Sequence, residues 1–102
     1  MEISMLFMVR FEDHPDKLNI RERFLDAHIK WLDEQSGSVL IGGSLRHEPG
    51  DQPVGGLWVV RADSKQAVEA MIETDPFWIN GLRQGKEILH WSKAFEDRMV
   101  AI

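Results

Sequence analysis

An imidazole on the apolar side of a helix is the group in this chain whose type and position best suit chemistry. Arg21, Leu25, His28 and Leu32 follow one another three or four residues apart within a helical stretch from Leu18 to Gln35. One inward face therefore carries a cation, an imidazole and aliphatic groups. Imidazole titrates near neutrality, so its surroundings decide whether it is a hydrogen-bonded core residue or a proton-transfer group lining a pocket. Asp75, in the run Asp75-Pro76-Phe77-Trp78, is the carboxylate that could decide the matter. Beside His28 it would fix the tautomer and stabilise the imidazolium, which is how an Asp prepares a His to take or give a proton. Asp before proline equally suits a turn, where its side chain bonds nearby backbone N–H groups.

Three other features could serve a ligand. Gly42-Gly43-Ser44 interrupts a strand, and glycine there either floors a cavity or marks a bulge. Trp78 offers an indole on which a flat, aromatic ligand could stack. Arg21 is either an ion-pair partner of Glu22 or Asp75, or a clamp for a substrate, depending on whether it faces the cavity.

Composition removes several classes of function. The chain has no cysteine, which excludes disulfides, thiol nucleophiles and thiolate metal sites. His14 and His47 fall in loops and His90 in a strand, and no two histidines lie four apart on one helix, so no metal is expected. Without a phosphate-binding glycine loop, hydride and phosphoryl transfer are disfavoured, and no cofactor is expected. A formal charge of -5 with no basic stripe argues against nucleic acid and anionic membranes as partners. The opening Met1 to Val9 carries Glu2 and stops at Arg10, which suits neither a signal peptide nor a spanning helix; the cytoplasm is the expected location. At 102 residues the chain is expected to be one domain, residues 1–102, with a core that needs no staples.

The elements that must position these groups follow from periodicity. Ile3 to Phe11 alternates as a strand, with Ile3, Met5, Phe7, Val9 and Phe11 on one face, and Glu12 to Lys17 is a loop. The helix Leu18 to Gln35 ends at Gly37; Ser38 to Arg46 and Leu57 to Ala62 are strands of a hairpin around the loop His47 to Gly56. Asp63 or Ser64 caps a helix Lys65 to Glu73, Pro76 breaks the chain into an irregular turn through Gly81, and Lys86 to Phe95 is the last strand. The polar tail Glu96 to Arg98 is a loop or loose end, and Met99 to Ile102 takes no assigned role.

The order β-α-β-β-α-β folds most simply as a split βαβ, an α+β ferredoxin-like sandwich with both helices on one face of a four-stranded antiparallel sheet. Both faces of the strands are apolar, since Leu6 and Met8 alternate with Met5, Phe7 and Val9, and Trp58 and Val60 with Leu57 and Val59. A second copy laying its own sheet against the bare face is the expected cover, giving a homodimer through stacked sheets.

The segments Arg21 to Leu32, Leu40 to Leu45, Asp63 to Ala67 and Thr74 to Leu82 together resemble the YciI-like (YCII-related) proteins over nearly the whole chain. The resemblance implies a dimeric α/β barrel of ferredoxin-like fold with His28 and Asp75 as the active-site pair. It also matches Arg21, Gly43 and Gly81 to family positions. Two departures stand out: Leu25 replaces a second arginine, and Ser44 replaces a proline after the strand glycine. An anion site built on two arginines is therefore not implied, although Arg23 flanks the same region. One family activity is a lyase removing chloride from a chlorinated aromatic intermediate.

Together these readings predict a small-molecule enzyme in which His28, oriented by Asp75, transfers a proton in a lyase or isomerase reaction on a small, aromatic or acidic metabolite. Arg21, Gly43, Ser44 and Trp78 are the substrate-binding candidates. Two other functions fit the same residues: an oxygenase of dimeric barrel shape, an analogy of fold, and a non-catalytic module that binds a metabolite.

Overall fold

Strand alternation decides which side of the sheet is covered. In the computed structural model, which describes residues 4–102, Phe7, Val9 and Phe11 of strand β1 (Met5–Asp13) are almost fully buried, while Leu6 and Met8, which alternate with them, are only partly so. The inward row continues through strand β3 (Gly55–Ala62) with Trp58 and Val60, and through β4 (Arg83–His90) with Ile88. Helices α1 (Leu18–Glu34) and α2 (Lys65–Ile72) complete this core with Trp31, Val68 and Ile72.

The four strands pair in the order β2-β3-β1-β4, with β2 spanning Val39–Leu45, and every pairing is antiparallel. This is the ferredoxin-like α+β fold: β1 lies between β3 and β4, and each of the two βαβ halves crosses over the same face. The other face presents Leu6, Met8, Leu57 and Val59, with Ile41 and Leu89 more than two-fifths exposed. Among the described residues, no helix is long and apolar enough to cross a membrane.

Element boundaries differ from the sequence expectation where pairing or capping overrides pattern. Ile3 lies outside the described residues. Strand β4 occupies Arg83–His90 rather than Lys86 to Phe95, because its partner β1 reaches forward to pair Asp13 with Arg83 and has little left to offer beyond the bond from Trp91 N–H to Leu6 O. Strand β3 starts at Gly55, not Leu57. A Cβ at Gly55 would stand within 2.0 Å of the Phe11 carbonyl oxygen, so only glycine lets these two backbones pair this closely.

Helix ends also depart from expectation. Gly37 does not close α1 in a left-handed conformation; the last carbonyls accept from the Gln35 and Ser36 N–H groups instead. Ser64 caps α2 by accepting from Ala67 N–H. Pro76 starts a short helix, α3 (Pro76–Ile79), where the sequence suggests an irregular turn. Proline fits the first helical position because its missing N–H would have had no partner there, and Asp75 supplies the cap.

Candidate active site

The stripe that α1 turns inward is Arg21, His28 and Trp31, with Leu32 partly buried behind them, while Leu25 is 41% exposed. The rotation away from Leu25 follows from the size of Trp31. Its ring packs 5.4 Å from that of Trp58, and its indole N–H donates to Thr74 Oγ1 at 3.0 Å. Thr74 in turn donates to Met71 O, so α1 is tied to the junction between α2 and α3 one residue before Asp75.

That junction brings two distant segments together. His28 Nδ1 donates to Asp75 Oδ1 at 2.7 Å, and the same oxygen accepts the Phe77 N–H at 3.1 Å as the cap of α3. The Asp75 side chain is completely buried and that of His28 is 7% exposed. Phe77 lies against the imidazole with ring centroids 3.9 Å apart and planes 14° from parallel. Cap, stack and hydrogen bond thus hold the imidazole in one orientation, and because Nδ1 is committed to a carboxylate, Nε2 is the nitrogen left for proton exchange.

Charges also gather about Phe77. The guanidinium carbons of Arg21 and Arg83 sit 5.1 and 5.2 Å from its ring centroid. Between them Asp13 accepts from Arg21 at 2.6 Å through one oxygen and from Arg83 at 2.7 Å through the other. Burial pushes the Arg83 guanidinium below its ordinary value, opposed by Asp13 and by the negative charge of Asp75. The Nε atoms of both arginines and Asp75 Oδ2 are buried without partners among the described residues.

The remaining expected site residues are dispersed. Arg21 pairs with Asp13, not with Glu22 or Asp75, and lies in the walls of two hollows beside α1. One of them, about 400 Å³, also takes in Leu25, Ser44 and Arg46. Neither has His28 or Asp75 in its wall. Gly43 opens onto the other face of the sheet, near Leu57. It is Gly42 that makes room inside, since a Cβ there would meet the Trp58 ring at 2.9 Å. Trp78 packs against the core under the Lys86 ammonium, 4.3 Å from its ring centroid, and Phe77 takes the place beside the imidazole.

Asp13 and Arg83 were not among the expected site residues. Asp13 carries a signal, because it continues the inward alternation of Phe7, Val9 and Phe11 with an acid. Arg83 carries none as long as the last strand is read as starting at Lys86.

The YCII-related domain matches residues 5–92. This chain belongs to the YCII-related family. Among solved structures, one YCII-like relative is 5-chloro-2-hydroxyhydroquinone dehydrochlorinase from Burkholderia phenoliruptrix in complex with 2,5-dihydroxybenzoquinone. It is 26% identical with a TM-score of 0.79, over 86% of this chain and 94% of that one. A Bacteroides thetaiotaomicron protein assigned provisionally to the antibiotic biosynthesis monooxygenases is 16% identical with a TM-score of 0.59, over 98% of both chains. A Nitrosomonas europaea protein of unknown function is 15% identical with a TM-score of 0.55, over 99% of both. The last two share the fold alone with this YCII-related chain. Among curated proteins, no sequence matches it.

Proposed function

We propose that this protein is a small-molecule enzyme of lyase or isomerase type in which His28 is the proton-transfer group and Asp75 its orienting carboxylate. The observation that carries the reading is the buried 2.7 Å bond between His28 Nδ1 and Asp75 Oδ1, made by residues 47 positions apart. An imidazole stacked on Phe77 and bonded to a cap-bound carboxylate is more order than an inert core imidazole needs. In the step, Nε2 takes a proton from a C–H or O–H of the substrate, and the bonding pair stays on the substrate. A leaving group such as halide then departs with its own bonding pair, and His28 returns the proton to solvent.

The substrate class is a small hydroxylated aromatic or acidic metabolite. Its support is the family relationship to a dehydrochlorinase that binds a dihydroxybenzoquinone, together with the hollow of about 400 Å³ that holds Arg21 and Ser44. In this reading, ligand in that hollow reaches Nε2 past Leu25, which lines the hollow and is 41% exposed. The bare apolar sheet face is covered in this reading by a second copy of the chain.

The test is a screen of chlorinated and unchlorinated hydroquinones and small hydroxy acids, followed by release of halide or change of absorbance. Wild type should turn over at least one of them, and His28→Gln should be slower by a factor on the order of 10² to 10⁴ with an unchanged circular dichroism spectrum. A folded His28→Gln variant as fast as wild type overturns the assignment.

A further inference from the structure

We propose that Arg83 is a positioning residue that, beside the Phe77 ring together with Arg21 and against Asp13, sets the resting charge of the His28–Asp75 pair. The inference rests on the reading of that pair as the proton-transfer centre, and it concerns which state the pair occupies before substrate arrives.

The carboxylate of Asp75 is fully buried. Asp75 Oδ1 accepts two N–H groups, while Oδ2 has no partner among the described residues, so hydrogen bonding meets only part of the cost of keeping Asp75 ionised. The balance must come from charge. Among the described residues, four groups of fixed sign face this centre, Asp75 at the start of α3, Arg21 on α1, Asp13 on β1 and Arg83 on β4, while β3 brings the Gly55 carbonyl and Gly56 against the arginines. Asp13 serves both arginines, so one positive charge remains over, and both guanidinium carbons sit about as far from the Phe77 centroid as each other, 5.1 and 5.2 Å. Phe77 in turn stacks on the imidazole at 3.9 Å.

Two cations and two carboxylates sum to zero when His28 is neutral. A protonated His28 would leave the buried group with a net positive charge. An uncharged imidazole is thus the charge-balanced arrangement, and Nε2 is the ring nitrogen not bonded to Asp75. After it takes a proton, the positive charge is balanced by the anion left on the substrate. Without Arg83 the inventory shifts by one, and the imidazolium becomes the balancing cation.

The test uses the full chain labelled with ¹⁵N, with the His28 ring signals assigned by their loss in His28→Gln. A unit charge on the order of 9 Å away, at an effective dielectric of about 20, moves a titration by about one pH unit. Arg83→Met should raise the His28 titration midpoint by about that amount, Asp13→Asn should lower it, and Arg83→Lys should leave it within about 0.3 units of wild type. Loss of packing alone would not move the two substitutions in opposite directions. If Arg83→Met does not fold, Asp13→Asn and Arg83→Lys still decide. Unchanged midpoints, or shifts of one sign in both charge-removing variants, overturn the proposal. Because the readout is the ring titration and not turnover, a result here stands apart from the activity of His28→Gln.

Discussion

Replacing Asp75 by Asn changes one buried atom and one charge, and the structure says what each is worth. The two N–H groups aimed at Oδ1, from His28 and from Phe77, keep the amide oxygen at that position. The amide nitrogen must then occupy the place of Oδ2, which has no acceptor among the described residues. A buried donor without a partner costs about 1–3 kcal/mol. The bond to His28 also falls from charge-assisted to neutral, a loss of about 1 kcal/mol. Relief from burying a charge offsets part of this, so the expected net loss is about 2–3 kcal/mol. With a urea slope of about 1.5 kcal/mol/M for a chain this small, the unfolding midpoint should fall by about 1.3–2 M. Equilibrium urea unfolding followed by tryptophan fluorescence measures it directly, since Trp31 and Trp58 lie in the core. An Asp75→Asn variant as stable as wild type would refute the reasoning, because the carboxylate would then be neither the acceptor nor the charged group described.

Other substitutions separate neighbouring residues that look alike in sequence. Gly42→Ala puts a Cβ 2.9 Å from the buried Trp58 ring and should cost about 1–3 kcal/mol in thermal or urea unfolding, whereas Gly43→Ala meets nothing within 4 Å and should be close to neutral. Val59→Asp places a charge in the middle of the bare sheet face, beside Met8 and Ile41; light scattering should show dimers for wild type and monomers for the variant, and a wild-type monomer would remove the second copy from the proposal. Thr74→Val unties Trp31 Nε1 from the α2–α3 junction and should destabilise by about 1–2 kcal/mol, with a slower reaction wherever α1 position sets His28.

Much of the architecture was legible because it rests on period. Alternation through Phe7, Val9 and Phe11 and the helical spacing from Leu18 onward follow from backbone geometry, which any sequence with a buried face must obey. The His28 and Asp75 juxtaposition was approached through the same logic and the family resemblance. Less legible were features set by competition between neighbours. Leu25 fits the apolar stripe as well as Trp31 does, but the larger ring wins the place against Trp58 and turns Leu25 outward. Phe77 and Trp78 are adjacent aromatics, and the cap at Asp75 determines which of them faces the imidazole.

Local physics in the chain, then, already contained the sheet-and-helix layout, the absence of thiol chemistry, the acidic character and the bare second face. Tertiary structure alone decided that Asp13 would bridge two arginines from opposite ends of the chain, that Phe77 would lie beside both them and the imidazole, and that Leu25 would turn outward to line the neighbouring hollow. The reason is one of range: periodicity reports which way a side chain points within its own element, whereas the charge balance of a buried centre depends on what four separate elements bring to the same few ångströms.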